Sequence, residues 1–312
     1  MTSLLLGVDL GTTATKGVLC DPQGSIMAVA ARPVALHADS AGFAEADTSQ
    51  WWDNLCHLVP ELLGLAGARG QDVAAVSTSG MVPAVVPLGE RGPLRRAILQ
   101  NDARAVREIS DIASRMEGFD FVARTGSALS QQSVAPTLLW LARHEPDVWA
   151  SSVRVVGSSD WLAQALGAEP FLEQNWALES GLFCLDGALL APVLDAAGAP
   201  AALLAPVRRT GDIVGTVSPA AAAATGLAAS TPIVVGGADH VLSAVAAGLS
   251  APGDTLVKLG GAGDILVVAD HPLPDGRLYL DAHPQPGLWL PNGCMATSGS
   301  LIRWLQQVLG GP

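Results

Sequence analysis

The stretch LLLGVDLGTTATKGVLC, residues 4–20, is apolar over 4–10 with Asp9 as its single charge. It turns on Gly11, Thr12 and Thr13 and returns through Lys16 into a second apolar run at 17–20. DPQG at 21–24 is a strong turn signal, and a third apolar run, 26–30, follows. The pattern predicts a three-stranded meander. A lone carboxylate at the end of a buried strand calls for a partner or a task. The Gly-Thr-Thr turn offers backbone N–H groups and two hydroxyls, which suit a phosphate. An aspartate beside it could hold a magnesium ion through water. A hairpin whose aspartate caps its own turn fits the same local pattern.

The chain of 312 residues is long enough for two domains with sizeable cores. Its apolar share of 49%, much of it alanine, marks it as globular. A net charge of −12 argues against a broad nucleic-acid-binding surface, although a loop and one ion can still create a local positive field. Cys20, Cys56, Cys184 and Cys294 lie far apart, with no metal-ligand spacing and no disulfide framework. They read as reduced, mostly buried thiols of a cytoplasmic protein. The N-terminal pattern is not that of a signal peptide, and no believable membrane-spanning run occurs.

Strands and helices alternate along the chain, which indicates α/β layers. A helix is expected from near Gln50, capped by Thr48, with Trp52, Leu55, Val59 and Leu62 at helical spacing. DVAAVSTSGM, 72–81, reads as a buried strand, and PTLLWLARHEP, 136–146, as a helix. SVRVVGSSDWLAQALG, 152–167, reads as a strand and then a helix capped by Ser158 or Ser159. Further on, 232–235 is a buried strand, Gly236 and Gly237 a tight turn, and 240–248 a helix with Asp239 at its start. That aspartate could cap the helix or face a ligand cleft as a base. TLVKLGGAGDILVVAD, 255–270, repeats the opening logic of strand, Gly-rich turn and returning strand. Two such hairpins flanking a helix suggest two related domains presenting loops to one cleft. A Walker loop, a dinucleotide fingerprint, a hydrolase elbow and an HExxH helix are all missing from the sequence. An aspartate, two Gly/Thr turns and an acidic second site best match phosphoryl transfer.

At this point the opening stretch resembles the first phosphate motif of the sugar kinase, Hsp70 and actin superfamily. Landmarks in order narrow the resemblance to the FGGY carbohydrate kinases, most closely to xylulokinase-like members: GFAEADTSQWWDN at 42–54, QNDAR at 100–104, VVGGADHVLSAVAAGL at 234–249, TLVKLGGAGDILV at 255–267 and GCMATSGSLIRWL at 293–305. The resemblance implies an α/β chain of the ribonuclease H-like actin/hexokinase type. Its complete first domain, 1–246, would bind the sugar and carry the phosphate loop; 247–312 would be a partial nucleotide-binding domain. The resemblance also implies ATP and Mg²⁺ as cofactors and a ketopentose or related polyol as substrate, with neither nucleic acid nor membrane as a partner. Asp239 would be the catalytic base and, with Asp9, would help hold the metal. Gly11, Thr12, Thr13 and Lys16, with Gly260, Gly261 and Gly263, would meet the nucleotide phosphates. Met81, Asn101, Asp102 and Arg104 would join Asp239 around the sugar. Blander roles fit some of these: core packing for Met81, a pair with Glu108 for Arg104, a solvated strand position for Lys16, and packing anchors for Trp51, Trp52 and Trp140.

Several positions depart from the family pattern. Val82 follows Met81 where xylulokinases usually carry a histidine, so a hydrogen-bonding group is lost from a sugar-facing position. The second loop reads LGGAGD in place of a GTSG-like turn, and Asp264 near polyphosphate is unfavourable unless a metal or the backbone turns it away. Asn175 has no assignable role. Family members commonly run longer, so strand residues such as Leu266 to Val268 are expected to lack sheet neighbours and expose apolar edges. A shortened gene, a piece of a longer chain, or rescue by oligomerisation, for example in a homodimer, would each fit. A non-catalytic sugar-binding or regulatory relic of the same family is the alternative reading. An Hsp70-like or actin-like ATPase without a sugar substrate is disfavoured by QNDAR and GGADH.

Overall fold

A computed structural model describes residues 3–259, 263–295 and 298–310. The opening stretch forms β1 (Leu4–Leu10), β2 (Ala14–Cys20) and β3 (Ile26–Pro33), paired antiparallel in sequence order. Leu4, Leu6, Val8 and Leu10 alternate into the core, as a period of two requires of a strand with one buried face. Helix α1 (Thr48–Ala66) lays Trp51, Leu55, Leu58, Val59 and Leu62 on that sheet, each at most 1% exposed. Its N-cap is Asp47, whose carboxylate accepts the Ser49 N–H at 2.9 Å, so the cap lies one residue before the expected Thr48.

Strand β4 (Val73–Gly80) pairs parallel with β1, and β5 (Ile213–Thr216) and β6 (Pro232–Ala238) complete a six-stranded sheet in the order β5-β6-β4-β1-β2-β3. β6 runs parallel to β4, so β1, β4 and β6 end at the same edge. Gly236 and Gly237 do not form the expected turn. They lie inside β6 at a bulge, where a Cβ on Gly236 would stand 2.2 Å from the Thr78 carbonyl oxygen. Only glycine permits that approach. Helix α2 (Ser158–Leu166) starts after Gly157, whose N–H is accepted by Asp160 Oδ2 at 3.1 Å. Ser158, expected at the cap, instead donates its hydroxyl to the Met81 carbonyl.

A second sheet, wholly antiparallel, contains β7 (Thr255–Leu259), β8 (Gly263–Val267), β9 (Tyr279–Ala282) and β10 (Trp289–Met295) in the order β7-β8-β10-β9. Leu266 and Val268 are 0% and 2% exposed, against the expectation that they lack neighbours, because this sheet turns that side toward the first lobe. The apolar exposure falls on the opposite face, at Val257, Leu259, Ile265 and Met295, and on the last helix.

Short helix α3 (Gln174–Glu179) ties the lobes together. Asn175, 0% exposed, receives the Ala282 N–H on Oδ1 at 2.7 Å and donates Nδ2 to the Ala282 carbonyl at 3.1 Å. The amide thus imitates a strand partner for β9, which gives Asn175 the role the sequence left unassigned. Helix α4 (Asp239–Ala246) follows β6 directly, and α5 (Gly299–Val308) ends the described chain. Among the described residues, no helix is long and apolar enough to cross a membrane.

Candidate active site

The shared edge of β1, β4 and β6 places the two aspartates singled out in the sequence. Asp9 aligns with Ser79 of β4, and Ala238, the residue before Asp239, aligns with Gly80. β1 and β6 lie on either side of β4, about 10 Å apart at two strand spacings. Ligands of open α/β sheets bind at such carboxyl ends. Ser79 donates its hydroxyl to Asp9 Oδ1 at 2.9 Å. Burial, then the nearby Asp239 charge, raise the Asp9 carboxyl above its usual range, with the Ser79 bond, Lys16 and Lys258 opposing.

The Gly11 turn closes on Asp9. The Gly11 N–H donates to the Ala14 carbonyl at 3.0 Å. A Cβ on Gly11 would stand 3.1 Å from that carbonyl oxygen and 3.7 Å from Asp9 Oδ2. Thr12 and Thr13 follow, with Thr13 exposed, and the exposed Lys16 stands opposite Asp9 in the β1–β2 register. A groove of about 320 Å³ runs over Asp9, Lys16, Ser77 and Ser79 to Leu242 on α4. A carboxylate destabilised by a second carboxylate, beside a glycine turn with two hydroxyls and a lysine, fits a Mg²⁺–polyphosphate. Gly260 and Gly261 lie outside the described residues; Gly263 opens β8.

Asp239 faces a second cavity, of about 210 Å³, between the lobes. The first lobe contributes Val82, Gln100, Gln132, Glu179, Asp239 and His240; the second contributes Lys258, Asp264, Tyr279, Asn292 and Cys294. Strand register explains the second set. Lys258 pairs with Asp264, Asp264 with Cys294, and Asn292 with Tyr279, so one face of the second sheet presents them together. Lys258 Nζ lies 3.5 Å from Asp264 Oδ2 and supplies it with a counter-charge.

His240, next to Asp239, meets three carboxylates at this cavity. Its Nε2 is 2.9 Å from Asp281 Oδ2 and 3.8 Å from Glu179 Oε1, and its Nδ1 is 3.5 Å from Asp239 Oδ1. Burial alone would lower the imidazole pKa, but Asp281, Asp239 and Glu179 outweigh it and hold it well above the usual value. Burial pushes the Asp239 carboxyl up, yet the bond and charge of His240, with Lys258, prevail and bring it below the ordinary range. Burial and then the Asp281 charge raise Glu179 well above its usual range.

Met81, Asn101, Asp102 and Arg104 do not line this cavity. Met81 is 1% exposed, donates its N–H to the Leu10 carbonyl, and has the Thr12 hydroxyl 4.0 Å from its sulfur. Asn101 is exposed, while its neighbour Gln100 lines the cavity. Arg104, its side chain 1% exposed, donates to both oxygens of Asp102 and to Glu45 at 2.6–2.8 Å. The guanidinium also lies 3.8 Å from the Phe43 ring centre and 4.9 Å from that of Trp140. The partner of Glu108 is Arg143, not Arg104. Glu179, His240, Asp281, Tyr279 and Asn292 were not singled out by sequence. Of these only His240 sits inside a motif that could have drawn notice.

Comparison with known proteins gives the family and the fold. Residues 4–246 match the family described as FGGY family of carbohydrate kinases, N-terminal domain. Autoinducer-2 kinase of Escherichia coli (strain K12) is 32% identical over 311 residues, covering 97% of this chain and 58% of its own. The chain thus spans somewhat over half the length of the curated relatives it matches. The crystal structure of xylulose kinase from Rhodospirillum rubrum is 41% identical, with a TM-score of 0.93 over 98% of this chain and 63% of that one. Plasmodium falciparum glycerol kinase with ADP, at 16% identity and a TM-score of 0.86 over 98% of this chain and 63% of that one, shares the fold.

Proposed function

We propose, from the premise that the chain belongs to the FGGY family of carbohydrate kinases, that it serves ATP-dependent phosphorylation of a ketopentose, xylulose-like, or a related polyol. One observation carries this reading. Asp239 directly follows the parallel strand β6, faces a polar cavity built by both lobes, and shares its sheet edge with Asp9 beside the Gly11 turn. Mg²⁺–ATP, when bound, supplies the γ-phosphoryl group and neutralises its charge. Asp9 and Asp239 would hold the metal, while Gly11, Thr12, Thr13 and Lys16 cradle the phosphates. Asp239 accepts the proton of the attacking sugar hydroxyl. Its lowered pKa suits a late proton transfer in a loose transition state.

Gln100, Gln132, Tyr279 and Asn292 offer uncharged hydrogen-bonding groups to sugar hydroxyls, and Val82 offers none. Asp102 and Arg104, paired with each other, would act on the sugar through the segment that carries Gln100; Asn101 lies in that segment and Met81 directly after β4. The chain is tested by calorimetry against a panel of pentuloses, hexuloses and polyols, followed by a coupled assay of ADP release. Binding of a ketopentose or polyol with sugar-dependent turnover is expected. Failure of the folded chain to bind any of the panel overturns the reading.

A further inference from the structure

We propose that Glu179, His240 and Asp281 form a site for one divalent cation of the zinc type, separate from the place that Asp9 and Asp239 offer to magnesium. Three elements supply the donors: α3, the first turn of α4, and β9 of the second sheet. His240 Nε2 stands 2.9 Å from Asp281 Oδ2 and 3.8 Å from Glu179 Oε1. Donors bound at about 2.0–2.2 Å around a tetrahedral ion stand about 3.3–3.5 Å from one another. The observed spacings bracket that separation.

Unpaired atoms point the same way. Glu179 Oε1 and Asp281 Oδ1 are buried without a hydrogen-bond partner, on side chains 4% and 0% exposed. Glu179 Oε1 faces His240 Nε2 at a distance too long for a hydrogen bond. Buried carboxylate oxygens left in this state are costly, and an ion among them removes the cost. The other ring nitrogen, Nδ1, faces Asp239 Oδ1. A ligating histidine commonly directs its second ring nitrogen to a carboxylate, which fixes the tautomer and leaves Nε2 free to bind.

Charge and donor type select the ion. Once the ion has displaced the protons that His240 and Glu179 hold in the metal-free chain, two carboxylates and a neutral imidazole balance its charge of +2. A mixed nitrogen and oxygen set suits Zn²⁺, whereas Mg²⁺ takes oxygen donors and keeps its waters. Asn175, one turn from Glu179, clamps Ala282, next to Asp281, so both carboxylates are held by the same junction. The competing occupant is a proton on Nε2 that bridges His240 to Asp281.

The site shares the wall of the cavity assigned to the sugar, so it is tested without substrate. The full chain, treated with chelator, is titrated with Zn²⁺ alone by calorimetry, with and without excess Mg²⁺. One ion per chain is expected, unaffected by Mg²⁺ and by Asp9→Asn, and bound more than about tenfold more weakly by Glu179→Gln and by Asp281→Asn. Since either variant could loosen the lobe junction, Co²⁺ is also bound to the unaltered chain. Visible bands of tetrahedral intensity without a sulfur charge-transfer band are expected. Sub-stoichiometric Zn²⁺ binding overturns the proposal in favour of the bridging proton. Displacement by Mg²⁺, unchanged affinity in folded variants, or a sulfur band from Cys294 also overturns it.

Discussion

His240 on the first lobe and Asp281 on the second meet at 2.9 Å, Nε2 to Oδ2, across 41 residues of sequence. In the metal-free chain this charge-assisted contact fastens the helix that carries Asp239 to β9. Asp281→Asn keeps the shape and one acceptor but loses the charge. It is expected to cost about 1–3 kcal/mol. The sign of the pH dependence follows from the raised His240 pKa. Stability from the pair is full below the unfolded imidazole value, about 6.5, and is lost as pH rises through the folded value. Urea titrations should therefore separate variant and parent most near pH 6 and less at higher pH. Equal midpoints near pH 6 would count against the contact.

Asp239→Asn should lower sugar-dependent turnover by about 10²–10⁴-fold while calorimetric sugar affinity stays within a few-fold. The amide keeps the size of the side chain and loses its proton affinity. Asp9→Asn should instead raise the Mg²⁺–nucleotide concentration needed for half-maximal turnover. Because the Asp239 carboxyl lies below its ordinary range, the base form persists through neutrality, and turnover should not fall between about pH 8 and pH 6 for want of base. Parent-like turnover in Asp239→Asn removes it from the base role.

The first hairpin was legible because its strands are local: Asp9, the Gly11 turn and Lys16 lie within 17 residues of contiguous pattern, 4–20. Asp239 was legible because a strand and a helix meet at it. Gly236 and Gly237 misled because two glycines in sequence look like a turn, whereas here both lie in β6 and Gly236 lets it approach Thr78. Glu179 and Asp281 carry no local signal. One ends a six-residue helix and the other sits in a four-residue strand, and only the packing of the lobes brings both to His240. Arg104 was placed near the sugar by motif, but its partners Phe43, Glu45 and Trp140 come from distant segments.

Arg104→Lys should act on stability first. Lysine cannot reproduce the forked bonds to Asp102 and Glu45 or the stacking on Phe43. A loss of about 1–3 kcal/mol in urea unfolding is expected, with sugar affinity changed only a few-fold in the folded variant. A hundredfold loss of affinity at unchanged stability would place the guanidinium on the sugar itself.

Asp160 and Glu173 form a second buried acidic pair, each 1% exposed. Burial raises Asp160 to about 7 and, with the Asp160 charge also acting, raises Glu173 to about 8. Both carboxyls thus hold protons that the unfolded chain releases near pH 4. The folded state binds more protons between about pH 4 and pH 8, so stability falls as pH rises through that window. The full shift of either group would correspond to at most about 4–5 kcal/mol. Glu173 also accepts the Asn175 and Trp176 N–H groups at 2.9 and 3.0 Å, and a glutamine oxygen can still do so. Glu173→Gln should therefore leave stability near pH 4 unchanged and gain about 1–3 kcal/mol near pH 8. Urea midpoints measured across that range should slope less steeply in the variant. A parallel slope in both proteins would mean that Glu173 is ionised in the folded chain at neutral pH.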